Sequence, residues 1–168
     1  MRKSKLIIGS IIVIVAAGWY LFRPELLFVD QTVNEALPTS ATATRSLKDA
    51  QSSVLATGRF HRVSHDTSGV ATILQLSEGQ RLVRLTAFET SNGPDVRVYL
   101  VAAQDATDND TVTRAGYVDV GAMKGNKGDQ NYEVPAGIDL SQYQSVTIWC
   151  RRFGVNFATA PLAAPKQI

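Results

Sequence analysis

From Val54 onward the chain is a succession of short apolar runs, each closed by turn-forming residues, and no other feature restricts the fold as tightly. Val54–Phe60, Gly69–Leu76, Arg81–Glu89, Asp95–Ala102, Tyr117–Val120, Gln130–Val134, Ser145–Arg152 and Gly154–Ala160 read as strands. In Arg81–Glu89, Leu82, Arg84, Thr86 and Phe88 alternate with Val83, Leu85 and Ala87, so each set is expected on its own face. Between the runs stand Ser64–Gly69, Glu78-Gly79, Asn92-Gly93-Pro94-Asp95, Gly121–Gly128 and Pro135-Ala136-Gly137. In Asn92-Gly93-Pro94-Asp95 the glycine permits a positive φ, the proline fixes its own φ, and the flanking Asn and Asp close the turn through their side chains. Gln104–Thr113 reads as a polar loop and Asp139–Tyr143 as one helical turn or a loop. About eight strands at this spacing predict an all-β domain, a β-sandwich or a closed barrel, because closure hides strand edges. Strands do not alternate with helical patterns, so a nucleotide-binding α/β fold is not expected.

Leu6–Phe22 is an uninterrupted run without charge. As a helix its seventeen residues span ~26 Å, the short end of what crosses a bilayer core. Ile and Val are mediocre helix formers in water, but in hydrocarbon the backbone has no other partner for its amides. Trp19, Tyr20 and Phe22 close the run, where aromatic rings favour the membrane interface. Arg2, Lys3 and Lys5 precede it and Arg23 follows, so the positive-inside bias predicts residues 1–5 in the cytoplasm and the rest outside. The expected location is the cell (inner) membrane, single-pass, with the C-terminal domain extracytoplasmic, periplasmic or extracellular. Ala16-Ala17-Gly18 offers a signal-peptide cleavage site, but the apolar run continues beyond it, which favours an uncleaved signal anchor. No cysteine lies near the N-terminus to carry a lipid. The expected organisation is therefore a cytoplasmic tip and transmembrane helix over 1–23, a polar linker over 24–53 and a β domain over 54–168. The linker reading rests on composition, notably Thr39-Ser40-Ala41-Thr42-Ala43-Thr44, which is too poor in large apolar residues to bury a core.

Four of the 17 basic residues precede the first acid, Glu25, leaving 13 basic against 15 acidic residues beyond Pro24. Binding to nucleic acid draws on a basic surplus that releases counterions, so no nucleic-acid partner is expected.

Cys150, in Ser145-Val146-Thr147-Ile148-Trp149-Cys150-Arg151-Arg152-Phe153, is the sole cysteine. It cannot form an internal disulfide, and zinc sites of the paired-cysteine kind are excluded. On a strand it shares a face with Val146 and Ile148, company that predicts a buried and unreactive thiol. Arg152 falls on the same face by parity and is the one neighbour able to stabilise a thiolate. His61 and His65, four residues apart, would complete a copper-type set with Cys150, but nothing in the chain indicates that the three converge, and solvated or structural histidines are the expectation. The acidic loop Asp105–Asp110 lacks the glycine and distal glutamate of an EF-hand. There is no nucleophile elbow, no phosphate loop and no paired carboxylates. Neither a hydrolase nor a transferase is expected, no cofactor is required by the sequence, and whether one is bound stays open.

Several of these residues together carry a resemblance. Gly58-Arg59-Phe60-His61 with His65 and Gly69, then Asn92-Gly93-Pro94-Asp95 leading into Val96–Leu100, resemble the DM-thirteen domain. So do Gly121-Ala122-Met123-Lys124-Gly125-Asn126 with Gly128, Gln130, Tyr132 and Pro135, and Asp139-Leu140, Tyr143, Val146, Ile148-Trp149-Cys150, Phe153 and Phe157. The likeness covers roughly residues 54–162, and Met123 stands where leucine is expected, a volume-conserving change. The resemblance implies a small extracytoplasmic β-sandwich, sometimes found beside DOMON domains, with electron transfer as its role and Cys150 as the redox group. His65, Asn92, Asp95, Trp149 and Arg152 are the residues then expected to line the site, and a protein redox or interaction partner is implied. A non-catalytic interaction or ligand-binding module is the alternative.

Overall fold

The computed structural model describes residues 2–22, 29–38, 52–76 and 79–165, with side chains over 8–20 in the first stretch. Ten strands occur among the described residues: β1 (Thr32–Asn34), β2 (Ser53–Arg59), β3 (His61–Arg62), β4 (Ser68–Gln75), β5 (Arg81–Glu89), β6 (Val96–Val101), β7 (Tyr117–Ala122), β8 (Lys127–Glu133), β9 (Ser145–Cys150) and β10 (Val155–Pro161). Two helices, α1 (Arg2–Phe22) and α2 (Asn109–Ala115), and a 3-10 turn, Leu140–Gln142, complete the list.

The strands form two sheets of five, ordered β1-β8-β5-β4-β2 and β3-β10-β9-β6-β7. Each sheet keeps its own edges, so the closed barrel held open by the strand count does not form. The expected eight strands are all present, and β1 and β3 are additional. One core lies between the sheets. Ala71, Ile73, Val83, Leu85 and Phe88 come from the first sheet, and Val96, Val98, Leu100, Val146, Ile148, Cys150 and Phe157 from the second. At ~1.5–3 kcal/mol per fully buried aliphatic or phenyl side chain, this shared interior is the main stabilising term.

Strand β5 departs from the alternation expected of it. Ala87 takes φ 47° and the pairing with β8 shifts between Leu85 and Phe88. This bulge reverses the parity, and Phe88 joins Val83 and Leu85 in the core, edge-on to Phe60 at 5.5 Å. Gly69 lies opposite at φ 110°, where a Cβ would strike Ala87 O at 2.9 Å. The polar loop 104–113 also differs, since it contains α2. Asp108 caps that helix by accepting from Thr111 N at 2.6 Å, and Val112 is its one buried residue. Val112 and Ala106 cover Tyr99, Val101 and Trp149, making a smaller core on the outer face of the second sheet.

Within the stretch read as linker, residues 29–36 lie against the domain. Strand β1 runs parallel to β8, with Thr32, Val33 and Asn34 opposite Lys127, Gly128 and Asp129. Asn126, 2 % exposed, holds its entry by accepting from Gln31 N at 2.7 Å and donating to Asp30 Oδ1 at 2.7 Å. Glu35 bonds Lys124 Nζ at 2.8 Å and accepts from Asn131 N at 2.8 Å. Gly128 sits at φ 98°, and a Cβ there would collide with Val33 O. Residues 39–51, which hold the Thr-Ser-Ala run, fall outside the described residues, as do 23–28.

Helix α1 contains the apolar run Leu6–Phe22, of which side chains 8–20 are described. Among the described residues no helix is long and apolar enough to cross a membrane.

Gly128→Ala is expected to release β1, because the alanine needs both the unfavourable φ and the space filled by Val33 O. Amide exchange should show loss of protection over Thr32–Asn34 and a stability loss of more than about 1 kcal/mol.

Candidate functional site

Strand directions gather distant residues at one end of the molecule. Strand β6 begins where β9 ends, with Val96 paired to Cys150, and β10 begins there too, with Val155 paired to Cys150. The loop 90–95 reaches the same end from β5, and the loop 123–126 from β7, where Met123 N donates to Val96 O at 2.9 Å. Residues 63–65 arrive from β3, their amides all directed at Phe157 O at 3.0 Å. The chain leading into β1 also enters here, because Asn92 Nδ2 donates to Val29 O at 2.8 Å.

Cys150 is 1 % exposed and sits in the core with Val146 and Ile148 as neighbours on its face. At the same end lies a pocket of about 180 Å³ lined by Gln31, Asn92, Gly93, Pro94, Asp95, Val96, Ala122, Met123 and Gly125. Val96 belongs both to the pocket wall and to the cross-strand pair with Cys150, so it links the cavity to the strand position of the thiol. Gly93 is needed here for space. Its φ is not positive, but a Cβ would meet Val96 Cγ2 at 2.7 Å and Phe157 Cζ at 3.2 Å.

Of the residues expected to line a site, Asn92 and Asp95 are in the pocket wall. His65 packs on the other side of Phe157, ring centroids 3.8 Å apart, and burial together with nearby Arg62 holds its imidazole below the ordinary range. Trp149 faces the opposite way, 6.2 Å from Tyr99, which in turn stacks on exposed Tyr117 at 4.4 Å with the rings 3° from parallel. Burial is the main cause that pushes the Tyr99 phenol up to about 12. Strand β9 ends at Cys150, so parity does not carry Arg152 onto its face; Arg152 is exposed in the turn that follows. The arginine that does reach the site is Arg151, whose Nε bonds Asp95 Oδ2 at 2.7 Å while its amide donates to Asp95 O at 2.9 Å. Sequence reasoning passed over Arg151, Val96, Met123 and Gln31, because their roles depend on the register of β6 against β9 and on the docking of 29–36.

His61 stands apart from Cys150 and binds Asp105, Nε2 to Oδ1 at 2.8 Å. Among the described residues no three His, Cys, Asp or Glu side chains gather as a metal would require. At about 180 Å³ the pocket matches a cavity that admits a benzene-sized group and falls short of the ~300 Å³ where clefts for larger organic ligands begin.

A family model described as electron transfer DM13 matches residues 59–162. The chain belongs to this family. The DM13 match takes in Cys150, the pocket loops and the whole of the inter-sheet core, while residues 29–36 lie outside it. No curated protein and no solved structure matches the chain. The resemblance to DM-thirteen domains drawn from Gly58–His61, Asn92–Asp95, Gly121–Asn126 and Ile148–Cys150 is thereby shown.

Two outcomes are expected. Val96→Ala removes two methyl groups between pocket and thiol; it should cost about 2 kcal/mol and raise the rate at which a small maleimide modifies folded protein, read by mass spectrometry. The second concerns His61. Burial opposes its charge, but the hydrogen bonds to Asp105 and to Arg62 O outweigh burial and raise its pKa. A raised folded pKa means that the pair's stabilisation is present below about pH 6.5 and is lost as pH rises through the folded value. The effect should stay under ~1 kcal/mol because both side chains are about 40 % exposed, and His61→Gln should remove it from the pH dependence of thermal unfolding.

Proposed function

We propose that this DM13 domain carries electrons at the outer face of a membrane, anchored by Leu6–Phe22 and using the Cys150 thiol as its redox group. The observation that carries the reading is the convergence on one end of Cys150, the pocket over Val96, and the loop Asn92–Asp95. The family's description supplies electron transfer. The anchor is supported by α1, where the consecutive residues Ile11, Ile12, Val13, Ile14 and Val15 are all exposed, so that the helix is apolar on every side there and fits a lipid surround. Arg2, Lys3 and Lys5 ahead of the apolar run support a domain on the outer side, by the positive-inside bias.

With one cysteine in the chain, a disulfide step needs a disulfide of another molecule. The Cys150 thiolate, its proton lost to solvent, attacks one sulfur, forms the mixed disulfide and releases the other sulfur as thiolate, so the partner is reduced and Cys150 oxidised. The pocket wall at Val96, the strand partner of Cys150, is the side from which such a partner approaches on this reading. Asp95, pinned by Arg151, keeps the pocket mouth polar and orders the loop that carries Val96.

Voltammetry of the purified full chain should show a wave that is lost in Cys150→Ser, with circular dichroism confirming that the variant folds. Retention of the wave in Cys150→Ser overturns the thiol assignment. A visible absorption band that survives the same substitution moves the electron carrier to a bound group.

The burial of Cys150 favours a second reading, a non-catalytic interaction or ligand-binding module in which the thiol is packing. On that reading Cys150 reacts only after denaturation, and Cys150→Ser is silent in every functional measurement.

A further inference from the structure

We infer that the turn Arg151-Arg152-Phe153-Gly154 is a membrane foot, which sets the pocket end of the domain on an anionic lipid surface. The inference rests on the anchored reading of α1 and adds to it the face that meets the bilayer.

The path of the chain supplies the first argument. Helix α1 ends at Phe22, and Val29 is fixed to the domain through Asn92 Nδ2, with Asp30 and Gln31 held by Asn126. Residues 23–28 therefore span the whole distance from helix to domain, at most about 25 Å when fully extended. A linker over 24–53 would have let the domain roam in any orientation. The docked β1 replaces it with a short connection that enters at the pocket end.

The second argument is independent of the first. The turn between β9 and β10 projects from that same end, as the pairing of Cys150 with Val96 and the bond from Arg151 N to Asp95 O require. At its tip Phe153 is 63 % exposed, the most exposed large apolar side chain of the β domain. Arg151 and Arg152 immediately precede it and are exposed as well. An exposed aromatic ring next to two basic residues matches the bilayer interface, where the ring enters the headgroup layer and the cations meet lipid phosphates. The far end of the second sheet, where Tyr117 pairs with Val101 and Val101 with Ser145, stands a full strand length away.

One ring and two arginines, both already engaged within the protein, Arg151 with Asp95, would bind vesicles weakly in an untethered domain. The anchor already supplies the proximity, so the foot has only to choose an orientation. That orientation turns the pocket over Val96 toward the membrane, and the partner that reaches Cys150 would then be one held at the bilayer.

The test uses the full chain reconstituted in vesicles of phosphatidylglycerol and phosphatidylcholine. A nitroxide replaces Phe153 through Phe153→Cys, its own apolar ring system standing in for the phenyl group. A control nitroxide occupies the far end through Tyr117→Cys. Both are made in the Cys150→Ser background, or with Cys150 retained if that variant does not fold, since the native thiol is buried. Access to a water-soluble nickel reagent should be severalfold lower at position 153 than at 117. Arg151→Glu with Arg152→Glu, or vesicles of phosphatidylcholine alone, should reduce the difference. Equal nickel access at the two positions in anchored protein overturns the foot and leaves the anchor standing. Protein that washes off the vesicles in alkaline carbonate overturns both.

Discussion

Strand β9 is buried on both faces along its whole length, and the rest of the domain is arranged to make that tolerable. Val146, Ile148 and Cys150 point between the sheets, where the apolar side chains of β4 and β5 meet them. Ser145, Thr147 and Trp149 point outward and have no solvent to turn to. Ser145 Oγ donates to Ala103 O at 2.8 Å, Thr147 pairs with Thr159 at 3.1 Å, and Trp149 lies beside Tyr99 and close to α2. Leaving any such polar group unpaired would cost ~1–3 kcal/mol, so α2 and the loop before it are structural parts of the second sheet. Binding residues commonly ride on loops over a rigid scaffold. Here the candidate redox atom belongs to the scaffold itself, at the last residue of its most constrained strand, and only the groups over it are on loops.

The open edge of β8 is a second demand, and it is met from outside the family match. A bare strand edge is a template for unwanted pairing. Residues 29–36 cover it with backbone bonds, the Asn126 bridge and the Glu35–Lys124 pair. Glu35 is held below the usual carboxylate range; burial opposes this, and the bonds from Lys124 and Asn131 prevail. The cover comes with strict steric terms, since Gly125 and Gly128 leave room only for backbone on that side.

Strands β4, β5, β6, β9 and β10 were legible because they bury one face or both, and burial writes itself into sequence as alternation or as a continuous apolar run. What alternation could not show was the bulge at Ala87, where one residue in a left-handed conformation redirects Phe88. Strand β1 was invisible for a different reason. It contributes a single apolar side chain, Val33, and is held by main-chain and charge contacts to residues some 95 positions away. Helix α2 was hidden by its polar surface, although Asp108 ahead of Thr111 was a capping signal. Among the candidate site residues, His65, Asn92, Asp95 and Cys150 do collect at one end. Trp149 turns away because neighbouring strand residues face opposite sides, and Arg152 lies past the point where strand parity applies. Val96 and Arg151 owe their positions to register, which one sequence does not display.

Burial of Cys150 and an electron-transfer role conflict only if the thiol must meet its partner directly. Disulfide exchange has that requirement, because one sulfur must attack another in line. Passage of an electron does not, since the packed side chains between donor and acceptor serve as the medium. The pocket decides which of the two applies. At about 180 Å³ it has room for a side chain or a small sulfur compound, and its wall includes Val96, the residue paired with Cys150 across the strands. A larger redox group would have to remain outside, against Asn92, Asp95 and Arg151, with Val96 and Cys150 as the first matter beyond it. Both routes pass through the same end of the fold. On the proposed thiol reading, a partner approaches past the Asn92–Val96 segment, which is held on one side by the Arg151–Asp95 pair and on the other by the bond from Asn92 to Val29.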